Sequence, residues 1–448
     1  MRLTRRHPPR LGWLAVLAVL VALLTATGLT GGSSAATLGA VLTTGAHRAA
    51  PRQPSSAHGT ASSCPDPFPA TRDRTNPLML SPAPRHGDVL AGARFFVPGP
   101  ARGTAAGAIA QLLGIGVGQP LAAGEPLAGL PDTLSWTNFR DHTVARELPQ
   151  QTPAVQRNIT LLEKIANEPS PLRVSAYSGG GTPAAVGAQT TKLFCTVLQA
   201  DPRTIPIITT YFLHAELGGC SSTQQIGAKA PYIRSQIAAM AQAIARRPVA
   251  LFLELDAVGS SACLARHHSL GAWEKLMRSE ALTFEALPHA AVYIEGGYSD
   301  ANSPAYAARV LNAMGVRKVQ GFFTNDTHLQ WTSHELTYAR AVSRRTGGAH
   351  FVINTANNGR GPKLNPHPRT QGVEDLCNPP GRGLGIRDTT SPGLDRHLDG
   401  LLWIVPPGNS SGSCNGGPPS GTFWVARAEG FAARANAQLG PGFPSRPY

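Results

Sequence analysis

Val249-Ala-Leu-Phe-Leu-Glu-Leu-Asp256 decides the reading of this chain. An unbroken apolar run leads into two carboxylates two positions apart. Such a run reads as a strand buried on both faces, the pattern of a parallel sheet. In α/β folds the chemistry gathers at the carboxyl ends of those strands. Apolar walls disfavour the charged form of a carboxyl. Asp256 is therefore a candidate proton donor, with the alternative that it only caps the turn after its strand.

Outward from this run the same pattern repeats. Strand-like runs fall at Leu172–Ser178, Ile205–Leu213, Ala290–Glu295, Val319–Asn325, Ala349–Asn354 and Gly400–Val405. Amphipathic helix-like segments lie between them, at Pro183–Leu198, Ala230–Ala245, Ala272–Phe284, Pro304–Met314 and Ser333–Ser343. Ser303-Pro304 and Thr332-Ser333 supply plausible N-caps. Seven strands alternating with helices imply parallel pairing, as an α/β barrel or an open sheet.

The chain has 448 residues and is 42% hydrophobic, enough for a sizeable core. Its formal net charge is +14, and only six of 40 basic residues are Lys. Residues 1–75 carry eight Arg against two Asp, so much of the excess lies ahead of the patterned region. Elsewhere the basic residues are scattered, without the dense stripe and interleaved aromatics of a nucleic-acid groove. No nucleic-acid partner is expected.

Met1-Arg-Leu-Thr-Arg-Arg6 precedes an apolar run from Leu11 to Leu24 and small residues through Ala36. Residues 1–36 read as a secretory signal, or as an uncleaved N-terminal anchor. The run is short for a membrane span. Residues 37–88 read as a linker rich in Ser, Ala and Pro, and 89–448 as the folded domain. Six cysteines in an exported chain suggest up to three disulfides. With no Cys-x-x-Cys, a structural zinc site is not expected.

The strand ends spell a further pattern. Leu253-Glu254-Leu255-Asp256 is similar to the strand–Glu-Pro-Asp motif of glycoside hydrolase family 6, with Leu255 in place of Pro. Gly321-Phe-Phe-Thr-Asn325, followed by Trp331-Thr332, matches the Gly-x-x-Thr-Asn motif. Asn358-Gly-Arg-Gly-Pro362, Cys377-Asn-Pro-Pro-Gly-Arg382 and Leu398-Asp-Gly-Leu-Leu-Trp403 follow in the family's order. From Arg94 onward the chain resembles a divergent member of that family of secreted glucanases. The resemblance implies a distorted, incompletely closed parallel β/α barrel of about seven strands. It implies hydrolysis of a β-1,4-glucan or related polysaccharide with inversion, without cofactor or metal, by a monomer that is secreted or held at the cell envelope.

The same resemblance assigns residues. Asp256 stands at the general acid, and Tyr211 at the Tyr that crowds the distorted sugar ring. Tyr298 and Asn325 are expected to bond sugar hydroxyls, and Trp331 to stack on a sugar face. Disulfides Cys220–Cys263 and Cys377–Cys414 are implied, leaving Cys64 with Cys195. Departures stand beside these matches. The Asp that supports the acid falls on Gly219, two Trp platforms fall on Ala301 and Leu376, and the last strand lacks the Lys, Glu and Asp of the pattern. Glu295 is the first surrogate for the catalytic base, with Glu216 and Asp300 behind it. The alternative function is a carbohydrate-binding pseudoenzyme of the cell envelope that has lost turnover.

Overall fold

The computed structural model describes residues 75–81, 83–115, 130–364 and 376–444. The expected leader and most of the expected linker lie outside these residues. The last part of that linker does not: Leu78 and Met79 are buried in the core, so the packed unit reaches ahead of residue 89.

One sheet contains eight strands in the order β1-β2-β3-β4-β5-β6-β8-β7. They are β1 Leu172–Ser175, β2 Ile207–Tyr211, β3 Val249–Leu253, β4 Ala290–Glu295, β5 Gly321–Thr324, β6 His350–Asn354, β7 Thr389–Thr390 and β8 Leu398–Leu402. Neighbours from β1 to β6, and β6 with β8, run parallel; β7 is antiparallel to β8. β1 and β7 are the two edges and do not pair, so the curled sheet stays open. The seven expected strands are all present. The eighth is two residues long, too short to leave an apolar run.

β3 shows why the opening stretch reads as it does. All five of its residues are buried. Val249, Leu251 and Leu253 pack with the helices outside the sheet, while Ala250 and Phe252 pack inside the barrel with Tyr293, Phe323 and Val352. The period of two is real, but both faces are apolar, so the sequence reads as one continuous run.

The helices of the outer layer are Pro183–Ala200, Thr223–Ile244, Leu270–Glu285, Pro304–Met314 and Thr332–Arg345. Their starts follow local chemistry. Thr182 accepts from the Ala185 amide, and Ser303 from that of Tyr306. Ser222 and Gln225 form a reciprocal capping box. Three further helices, Thr104–Leu112, Pro153–Ala166 and Val425–Ala433, bury a second cluster with Trp136, Phe139 and Trp403. No helix among the described residues is long and apolar enough to cross a membrane.

Candidate active site

The turn after β3 is built in an unusual backbone conformation. Glu254 has φ of 53° and Asp256 of 64°, both in the left-handed region that side chains rarely enter. The first carboxylate explains the turn. Glu254 is fully buried and accepts from the Phe212 amide and, at 3.2 Å, the His214 amide. It therefore ties the end of β2 to the end of β3. The second carboxylate, Asp256, is thrown outward into a cleft of about 600 Å³ at the strand ends.

Asp256 is held on three sides. Its Oδ1 accepts from the Tyr298 hydroxyl and from Thr327 Oγ1, the latter at 2.8 Å. Its backbone amide donates to Asp326 Oδ2 at 3.1 Å. Asp326 is 3% exposed, lines the same cleft, and keeps its Oδ1 without a hydrogen-bond partner. Burial first, and then the charge of Asp256, push the Asp326 carboxyl up to about 7. The Tyr298 hydroxyl also touches Asp326 and partly offsets that rise. Burial, and then these same carboxylates, push the Tyr298 phenol upward, so it acts as a donor. Its ring stacks on His328 at 3.8 Å between centroids, and Asp300 holds His328 Nδ1 at 2.9 Å.

Tyr211 closes one side of the cleft. Its ring stacks on His214 at 5.5 Å, and His214 Nε2 lies 2.8 Å from Ser260 Oγ. Burial, and then the charges of Asp256 and Glu254, push its phenol up to about 12. Arg173, from β1, places its guanidinium 5.5 Å from the Tyr211 ring centre. The structure thus brings Asp256, Tyr211 and Tyr298 into one cleft.

Four expectations fare differently. Glu295 is fully buried, and its oxygens accept from the amides of Val258, at 2.5 Å, and Gly297. Burial, with Asp326 and Asp256 close by, pushes its carboxyl well up. It faces backbone rather than cleft, which corrects its placement as a surrogate base. Asn325 is buried with its amide fully engaged: it accepts from the Gln330 amide at 3.0 Å and donates to the carbonyls of Gln330 and Asn354. It closes a loop instead of meeting a sugar hydroxyl. Trp331 lies under the loop of Gly361, where an added Cβ would stand 2.2 Å from its indole ring, and it is not part of the cleft wall. Glu216 pairs with Lys229 at 2.8 Å, away from the cleft wall.

Sequence reasoning missed Asp326, Thr327, Arg173 and Arg427. All four line the cleft. Asp326 and Thr327 follow β5 as Asp256 follows β3, so strand-end position was the usable signal. Ala301 and Leu376, where the resemblance places Trp platforms, do line the cleft. At Gly219 a Cβ would stand 2.8 Å from Ser260 Oγ, so the position of the missing supporting Asp has little room for a side chain.

Two disulfides fix the rim. Cys220–Cys263 joins the loop after β2 to that after β3, and Cys377–Cys414 joins two late loops. Both pairings match those implied by the resemblance. Cys195 is disulfide-bonded, and Cys64 lies outside the described residues.

The chain is similar to several known proteins. Endoglucanase A of Cellulomonas fimi is 31% identical over 276 residues, which are 61% of this chain and 56% of that relative. The matched region thus spans little more than half of that protein's length. Endoglucanase 1 of Streptomyces halstedii is 28% identical over 314 residues, 67% of this chain and 90% of the relative. Among solved structures, the endoglucanase Cel6 from Mycobacterium tuberculosis aligns with a TM-score of 0.54 at 28% identity, covering 65% of this chain and 93% of that one. The sequence profile of glycosyl hydrolases family 6 matches residues 148–435, well over half of the protein. The chain belongs to glycosyl hydrolases family 6.

Proposed function

We propose that this protein is a secreted, monomeric glycosidase that hydrolyses a β-1,4-glucan or a related polysaccharide with inversion, Asp256 being the general acid. The observation that carries the reading is the setting of Asp256. Its carboxyl stands in an open cleft, oriented by the Tyr298 and Thr327 hydroxyls, beside the buried carboxyl of Asp326.

A buried carboxyl beside a second carboxylate resists ionisation. Asp326, pushed up to about 7, therefore holds a proton into the neutral range beside Asp256. The Tyr298 hydroxyl, touching both, allows that proton to stand on Asp256 when a glycosidic oxygen arrives. Protonation of that oxygen breaks the bond to the anomeric carbon, and water adds from the opposite face. Asp326 binds the backbone of Asp256 and so lies on the acid's own side; it is a positioning and proton-sharing residue rather than the base. Asn357 and Asn409 line the cleft with side-chain oxygens that have no protein partner, and such groups suit the attacking water. The proton it loses passes to the water of the open cleft. Tyr211 presses on the sugar ring and favours the distorted form that precedes bond cleavage.

The test is product release from a panel of β-glucans, with the first-formed anomer followed by proton NMR. Initial release of the α-anomer is expected. Initial release of the β-anomer overturns inversion. Binding without any released reducing end overturns hydrolysis in favour of a binding protein.

A further inference from the structure

We infer that the glucan taken by this cleft carries anionic substituents, and that Arg173 and Arg427 are the groups that recognise them. The inference rests on the reading of the cleft as a polysaccharide site and adds the chemical class of the chain.

The first observation is how the two arginines of the cleft are partnered. Elsewhere Arg102, Arg340 and Arg387 each meet a carboxylate, on Asp132, Asp395 and Glu168, while Arg382 and Arg434 bond to backbone carbonyls. Neither cleft arginine stands at ion-pair distance from a carboxylate among the described residues. Arg173 makes no ion pair or hydrogen bond among the described residues; it lies beside the Tyr211 ring, with the carboxylates of Asp326, Glu254 and Asp256 near enough to act on its charge. Arg427 is the cation left without a nearby anion. Arg427 comes from the helix Val425–Ala433. It donates from Nη1 to the uncharged Asn378 side chain and rests 5.0 Å from the Phe431 ring centre, and its Nε is buried without a partner. Burial draws its guanidinium down to about 10, with no nearby charge opposing the effect. A buried cation without an anion is costly, and an arriving anion removes that cost.

The second observation is what the cleft lacks. Ala301 and Leu376 stand where the resemblance places two Trp platforms, and among the described residues no Trp lines the cleft. Stacking on the apolar face of a neutral glucan is therefore weak here. A planar guanidinium fork suits a carboxylate, sulfate or phosphate group in two-point contact. The shared ligand chemistry is an oxyanion on the sugar, either a C6 carboxylate or an ester of sulfate or phosphate.

Calorimetry on the full chain, made inactive as Asp256→Asn, tests this with three cello-oligosaccharides of one length: neutral, C6-oxidised and 6-O-sulfated. The oxidised or the sulfated chain is expected to bind at least roughly tenfold tighter than the neutral one, from charge-assisted hydrogen bonds. Tighter binding of the oxidised chain alone assigns a carboxylate, and of the sulfated chain alone a sulfate-like ester. The preference is expected to narrow with added salt. Adding Arg427→Gln should remove most of it, read as the ratio of anionic to neutral affinity. Arg427→Lys, which keeps the charge without the fork, should keep part of it and serves if the Gln variant folds poorly. Equal binding of all three chains, or a preference that survives both Arg173→Gln and Arg427→Gln, overturns the inference. Wild-type cleavage of neutral chains with exclusion of anionic ones also overturns it and leaves the hydrolase reading standing. Tight anionic binding without turnover by wild type does the reverse. Binding of none of the three overturns both.

Discussion

Replacing Asp326 by Asn isolates the electrostatics of the proposed acid. The amide oxygen of Asn can still accept from the Asp256 backbone, so the hydrogen bond seen at 3.1 Å is kept and only the charge is removed. The magnitude follows from the carboxyl's rise from 3.8 to about 7. At about 1.4 kcal/mol per unit, ionising Asp326 in the folded state costs roughly 4 kcal/mol more than in the unfolded chain. The sign follows from proton binding. A carboxyl raised on folding favours the folded state below its unfolded value, and that contribution is lost as pH rises through the folded value. Wild type should therefore lose stability relative to Asp326→Asn between about pH 4 and pH 7, with a constant gap above. Urea unfolding of both proteins across pH 4–9 measures this. A gap of a few kcal/mol that opens over that window supports the reasoning. A pH-independent offset between the two curves refutes it.

Other expectations concern single groups. Glu295 carries a strongly raised carboxyl that accepts from two backbone amides. Glu295→Gln should keep turnover within a few-fold, whereas Glu295→Ala should cost about 1–3 kcal/mol of stability in denaturant titration; a thousandfold loss of turnover in the Gln variant would restore Glu295 as the base. Tyr211→Ala should lower kcat by about tenfold or more with a smaller change in KM, because ring distortion acts in the transition state. A change in KM alone, seen in steady-state kinetics, would make Tyr211 a simple binding group. Cys220→Ser with Cys263→Ser should remove about 2–4 kcal/mol, read as a fall in melting temperature against oxidised wild type that largely disappears when both proteins are compared under reducing conditions.

The sheet was largely legible because strands buried on both faces must be apolar throughout, and such runs stand out. β7 was not, since its pairing with β8 rests on main-chain bonds over two residues. The place of Asp256 in the cleft was legible because a residue just after a buried parallel strand stands at the carboxyl end of the sheet. Asp326 was not, although it stands at the equivalent point after β5. Motif matching asks only for residues that the pattern contains, and the pattern is silent at Asp326. Asn325 and Trp331 fit the motif yet point away from the cleft, because side-chain direction in a loop depends on neighbours distant in sequence, Asn354 and Gly361 here. Arg173 looks like an interruption of β1, and only its place beside Tyr211 gives it meaning.

The central claim is that Asp256 gives its proton to the leaving oxygen. The most direct measurement compares wild type and Asp256→Asn on two substrates, cellotetraose and 2,4-dinitrophenyl cellobioside. The first needs protonation to depart; the second leaves as a stable anion and does not. The account predicts a loss of at least about a hundredfold on cellotetraose and little loss on the dinitrophenyl substrate. Equal losses on both would mean that Asp256 serves the site in some way other than as its acid.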